Sequence, residues 1–194
     1  MIRTFKKILL VVLPLCGFWF MGQGAYIHTK AELAQLLLET AWTKTLNGQK
    51  EVKPWPWADT WPVARLSAPQ LGISRIVLAG ASGASLAFGP GHFFNSAAPG
   101  GNGNIIISGH RDTHFAFLQK LKLNDTLLLE STDKHVTVFR IKEFFVIDKR
   151  TTPYIPTDMS NKLMLITCYP FDAITAGGPY RFVVIAEPEP VVVT

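Results

Sequence analysis

A chain of 194 residues, 48% hydrophobic and only 17% charged, is long enough for one ordinary domain plus an appendage and too apolar to stay disordered. Its formal charge of +5 makes no case for nucleic acid: Arg3, Lys6 and Lys7 supply three of those charges, no acid precedes Glu32, and the rest of the chain is close to balance. With neither a clustered Lys/Arg face nor a glycine-rich phosphate loop, no nucleic-acid partner is expected.

The first element is a basic stretch, Arg3-Thr4-Phe5-Lys6-Lys7, followed by an apolar run over 8–21. That run is short for a membrane span and typical of a signal peptide. Extended to Ile27 it reaches 20 residues with Gln23 its one strongly polar side chain, enough to cross the hydrocarbon core. An uncleaved anchor is favoured, and a cleaved signal stays open because Gly22 and Gly24 suit a cleavage site. The positive flank predicts a cytoplasmic N-terminus and an exported body. Leu15 stands where a lipoprotein box needs a small residue, so acylation of Cys16 is not expected.

Thr29-Lys30-Ala31-Glu32 has the form of a capping box. It predicts an amphipathic helix with Leu33, Leu36, Leu37, Thr40 and Ala41 on its apolar face, widened by Leu38, Trp42 and Leu46 and ended by Asn47-Gly48. Pro54-Trp55-Pro56-Trp57-Ala58-Asp59-Thr60-Trp61-Pro62 cannot be helix or central strand, since its prolines remove donors and fix φ. It predicts an extended strap whose tryptophans dock on the body.

From residue 63 the pattern turns to β. Strands are expected over 63–68, 73–78, 104–109, 126–130, 135–147, 163–168 and 180–187, with a further short piece at 86–88 and a helical turn at 115–121. Many short strands joined by long loops predict a mainly β body that closes, or nearly closes, into a barrel.

Three side chains sit at the ends of these strands. Leu163-Met164-Leu165-Ile166-Thr167 delivers Cys168, and Pro170 forbids ladder pairing just beyond it. Asn104-Ile105-Ile106-Ile107-Ser108-Gly109 delivers His110, and Arg181 stands near the start of the last strand. A disulfide between Cys16 and Cys168 would have to join the apolar segment to the body, so none is expected. A free thiol is either an inert buried group or a nucleophile, and its context decides. His110 is preferred to His28, His92 and His135 for its place at a strand end, and to its rival His114, which falls beyond the strand. His110-x-x-x-His114 has ligand-like spacing, but no further His, Cys or carboxylate completes a metal site, and Asp112, Asp125, Glu130 and Glu143 are too dispersed for calcium. No metal and no cofactor is expected.

Taken together, Gly-His at one strand end, Ile166-Thr167-Cys168 at a later one and Arg181 thirteen residues past the cysteine resemble a sortase. The proline- and tryptophan-rich strap, Gly109-His110-Arg111-Asp112-Thr113-His114-Phe115, and Thr167-Cys168-Tyr169-Pro170-Phe171-Asp172-Ala173 with Gly177-Gly178-Pro179 resemble its class GN, or proteobacterial, branch. Met164, where the family motif has threonine, is a departure that affects packing more than chemistry.

The resemblance implies an eight-stranded β-barrel with short helices over 63–188, after a membrane segment (1–27) and an amphipathic helix with its strap (28–62), and before a tail (189–194). It also implies a transpeptidase that cuts a C-terminal Leu-Pro-x-Thr-Gly-like sorting signal after threonine and passes the acyl group to an amine acceptor. Its protein substrate would often carry a von Willebrand type A domain. The enzyme would be single-pass in the inner membrane, with its catalytic domain on the periplasmic side. Cys168 would be the nucleophile, His110 the proton carrier and Arg181 the oxyanion donor; Thr167, Tyr169 and Pro170 would touch substrate. Two other readings compete: an envelope L,D-transpeptidase, whose motif would put arginine almost beside the cysteine, and a non-catalytic tethered β-module.

Overall fold

The computed structural model describes residues 2–151, 160–175 and 177–189. Residues 152–159, residue 176 and the residues beyond Glu189 lie outside the described residues. The chain divides into two units, Met1–Leu37 and Leu38–Thr194.

Most of the first unit is the N-terminal part of helix α1, Ile2–Leu46, which contains Pro14. The helix therefore does not begin at the expected capping box. No proline lies between Pro14 and Thr29, so nothing stops the helix from reaching back through that point, and Thr29 and Glu32 become interior positions. The membrane segment expected over 1–27 falls on this helix; among the described residues, no helix is long and apolar enough to cross a membrane.

The second unit opens with the last turns of α1. Leu38, Ala41 and Trp42 are buried there, whereas Leu33 and Leu36, expected on the apolar face, are exposed. The packing stripe is thus rotated from the expected one, with Trp42 as its largest member and Ile76 and Leu78 as its partners. The end of the helix is as expected: Gly48 takes φ +91°, its N–H donates to the Thr45 carbonyl and that of Gln49 to Lys44.

The strap that follows is without strand or helix, and it docks in part. Trp55 meets Phe88 edge-on at 4.7 Å, Thr60 Oγ1 donates to the Ala79 carbonyl, and Trp61 accepts from the Ala79 N–H. Trp57 breaks the expectation at 83% exposed.

Eight strands follow: β1 (Pro62–Ala68), β2 (Ile73–Ala79), β3 (Gly91–His92), β4 (Ile105–Ser108), β5 (Thr126–Ser131), β6 (Val136–Asp148), β7 (Leu163–Cys168) and β8 (Tyr180–Pro188). They close into a barrel in the order β1-β2-β3-β4-β7-β8-β6-β5. Two neighbouring pairs, β2–β3 and β4–β7, are parallel. The strand piece expected at 86–88 is instead the end of a short helix, α2 (Gly83–Leu86), capped by Ser82. The strand forms later, at Gly91, where a Cβ would lie 2.2 Å from the Gly80 carbonyl oxygen; only glycine lets the two backbones meet there.

The barrel interior is filled by alternate residues such as Leu66, Ile107, Leu129, Leu165 and Val184, closed at one end by Phe115 and Leu118. Each such side chain contributes about 1.5–3 kcal/mol on leaving water. The outside of β4, β7 and β8 is apolar as well, with Ile106, Met164, Val183 and Ile185 buried in a second cluster. Burial on both faces explains why these strands are continuous hydrophobic runs in the sequence.

Candidate active site

Period-2 alternation decides which side chains reach the outer sheet face. On β7, Leu163 and Leu165 join the interior and Met164 and Ile166 the outer cluster, so Thr167 points in and Cys168 out. On β8, Val183 and Ile185 lie outside, and Arg181 shares their parity. The antiparallel register sets Cys168 directly opposite Arg181. The thiol is half-buried and forms no disulfide.

His110 arrives from the other side of β7. In the parallel β4–β7 pair Ser108 is level with Ile166, so His110 follows Ser108 as Cys168 follows Ile166, each two residues on. Three bonds fix that approach. The Gly109 N–H donates to the Ile166 carbonyl at 3.1 Å, Thr167 Oγ1 donates to the Gly109 carbonyl at 2.7 Å, and the Phe115 N–H donates to the His110 carbonyl at 2.9 Å. The two registers thus bring His110, Cys168 and Arg181 to the same end of the β4–β7–β8 ladder.

Thr167 is corrected by the same geometry. Only 1% exposed and bonded to Gly109, its side chain cannot touch substrate; it holds the histidine segment against the cysteine strand. A buried bond of this kind is worth about 1 kcal/mol. Tyr169 is half-buried, stacked on Phe182 and edge-on to Phe171. Pro170 is exposed and follows a cis peptide bond.

Gly109 has no room for a side chain, because a Cβ would lie 2.7 Å from Phe115 Cγ, and Phe115 is fully buried. Gly109→Ala should lower stability by about 1–3 kcal/mol through overpacking. It should also cut turnover by about 10- to 100-fold as His110 is displaced. Thermal melting and steady-state kinetics on the same preparation would check both, and unchanged kinetics would show that Gly109 does not set the position of His110.

The other histidines are poorly suited to the chemistry. His92 is buried at the end of β3, its Nε2 against the Ala97 carbonyl at 2.9 Å and Ser96 Oγ at 3.1 Å. Burial pushes the His114 imidazole below its usual pKa; a weak hydrogen bond to the Ala87 carbonyl opposes this, and the charges of Arg75 and His110 add to it. A ring whose charged form is disfavoured makes a poorer counter-ion for a thiolate. His110, by contrast, is exposed at the end of its strand. Among the described residues, no cluster of three His, Cys, Asp or Glu could hold a metal ion.

Arg181 is half-buried, and its Nη1 donates to the carbonyls of Gly178 at 2.6 Å and Tyr180 at 2.8 Å. Those bonds hold one arm of the planar fork at the point where the loop carrying Gly178 enters β8 at Tyr180.

The residue that sequence reasoning passed over is Arg111. It was visible only as part of a motif, yet its side chain is 3% exposed and bridges to the loop after Cys168. A charged residue immediately after a strand-end histidine was the signal available; its burial was not.

Comparison with known proteins places this geometry. A family model described as the sortase domain matches residues 66–189. Sortase D of Bacillus subtilis (strain 168) is 28% identical over 196 residues, covering 94% of this chain and 98% of that protein. Among solved structures, the Sortase D5 transpeptidase of Clostridium perfringens has a TM-score of 0.64 at 22% identity, covering 82% of this chain and 99% of that one. Sortase A from Corynebacterium diphtheriae has a TM-score of 0.62 at 24% identity, over 75% of this chain and 68% of that one. The structural likenesses show the fold, and the domain match shows the family: the chain belongs to the sortases, which are cysteine transpeptidases. The rival reading as an L,D-transpeptidase falls with that membership.

Proposed function

We propose that Cys168, His110 and Arg181 are the catalytic residues of a sortase that cuts a Leu-Pro-x-Thr-Gly-like sorting signal after threonine and transfers the acyl group to an amine. The observation that carries this reading is the cross-strand pair Cys168–Arg181, with the His110 segment bonded to the same strand through Thr167. The half-buried apolar side chains of Ile166 and Ile147 lie beside that pair on the outer face and suit the leucine and proline of such a signal.

The chemistry follows from the groups present. His110 takes the thiol proton, and the sulfur adds to the threonine carbonyl, whose π electrons move onto oxygen. Arg181, tethered through Nη1, offers the remaining donors of its fork to that oxyanion. Collapse breaks the C–N bond, and His110 returns the proton to the departing amine, leaving a thioester on Cys168. An acceptor amine then attacks the thioester, gives its proton to His110 and releases the thiol. Water in its place would give hydrolysis.

The class GN assignment rests on the strap and on the residues around His110 and Cys168 quoted above. A substrate with a von Willebrand type A domain is an expectation of that branch. So is a single-pass tether in the inner membrane with the barrel in the periplasm, supported by the basic and apolar N-terminal sequence. The deciding experiment incubates the enzyme with a Leu-Pro-x-Thr-Gly peptide and no amine, then maps the adduct by mass spectrometry. A thioester on Cys168 ending at threonine is expected, and an adduct on any other residue would overturn the assignment.

A further inference from the structure

Arg111 follows His110 directly in the chain, yet its side chain reaches past the histidine to the segment that follows Cys168. Nη1 donates to the Pro170 carbonyl at 2.7 Å, and Nη2 donates to the carbonyls of Ala173 at 2.6 Å and Thr175 at 2.9 Å. Nε donates to Asp112 at 3.2 Å, but that carboxylate is 63% exposed, so most of the compensation for a buried guanidinium comes from one loop. The loop does little to hold itself. Among the described residues, its one internal backbone bond runs from the Ala173 N–H to the Pro170 carbonyl, at 3.4 Å. Tyr169, Phe171 and Phe182 pack its near side, leaving the turn through 173–175 to Arg111.

Two segments that must keep a fixed separation for proton transfer are therefore tied by one side chain. Thr167 joins them from the barrel side, through the Gly109 carbonyl, and the buried Arg111 joins them a second time, through three loop carbonyls. We propose that Arg111 is a positioning residue: it makes the His110 segment and the loop after Cys168 one rigid body, and so holds the imidazole in line with the thiol during acylation. This rests on the assignment of Cys168 and His110 above. A planar fork serves three carbonyls at once, which an ammonium group cannot do from the same place.

The test is the single-turnover rate of acylation with a Leu-Pro-x-Thr-Gly peptide, taken per Cys168 thiol in the folded fraction measured by near-ultraviolet circular dichroism, because unfolded chains expose thiols that titrate as well. Arg111→Met should lower that rate by about 100-fold, the scale of a displacement near 1 Å, with Arg111→Lys between that variant and wild type. The comparison is Arg140→Met. Arg140 also joins a carboxylate (Glu189) to a backbone carbonyl (Asn124), but at the opposite end of the β6–β8 ladder from Arg181, so its loss should lower the melting temperature and leave the acylation rate per thiol unchanged. Equal rates per thiol for wild type and Arg111→Met would overturn the proposal; should Arg111→Met not fold, a wild-type rate in Arg111→Lys would do so. Cys168→Ala in the same series separates the two assignments: an adduct there removes the nucleophile, whereas a wild-type rate in the Arg111 variants with no adduct on Cys168→Ala removes only the clamp.

Discussion

Cys168→Ala should leave a folded barrel with no transfer at all. The thiol is half-buried and its β7 strand is held on both sides by β4 and β8, so stability should change by about 0.5 kcal/mol or less, the usual range for a partly exposed position. The reaction has no substitute nucleophile at that place. Thr167, one residue earlier, points into the barrel and spends its hydroxyl on Gly109, and water would have to attack an unactivated amide. Peptide cleavage monitored by mass spectrometry, beside a melting curve, measures both halves. Residual transfer by the folded alanine variant would mean that another group forms the acyl-enzyme.

Arg181→Ala should lower kcat by about 100- to 1,000-fold, the cost of removing a donor aimed at a developing oxyanion. KM should move far less, because the guanidinium acts on charge that appears only in the transition state. Arg181→Lys should recover only a small part. The ammonium keeps the charge but cannot hold the Gly178 and Tyr180 carbonyls and still present a second donor edge to the substrate. Steady-state kinetics on the three enzymes would check this; full activity in the lysine variant would reduce the role of Arg181 to a point charge.

The sequence made much of this site legible, for a physical reason. Strands buried on both faces are unbroken apolar runs, so 104–109 and 163–168 stood out, and with them the residues at their ends. The order of β4, β7 and β8 in space was not in the residues, since parallel pairing joins segments far apart in the chain; the family resemblance implied an eight-stranded barrel without that order. The place of Thr167 could have been read: if Cys168 faces outward, period-2 alternation turns its neighbour inward. Arg111 could not, because the burial of a charge depends on which carbonyls the fold brings around it. The start of α1 failed for a different reason. A capping box marks a helix start only where the preceding residues leave the helix, and those before Thr29 do not. Trp57 shows the converse, a large apolar side chain that the fold leaves in water although its neighbours Trp55 and Trp61 are used.

The strands that carry the three proposed catalytic groups have hydrogen-bonded neighbours on both sides: β4 between β3 and β7, β7 between β4 and β8, β8 between β7 and β6. An extended peptide therefore finds no open edge there on which to be zipped up as an extra strand, the route by which many clefts bind any flexible segment with little regard to its side chains. Recognition is left to the shapes of the peptide's own side groups. A proline in the bound segment then loses nothing for lacking an N–H, and selectivity for a motif containing one becomes cheap.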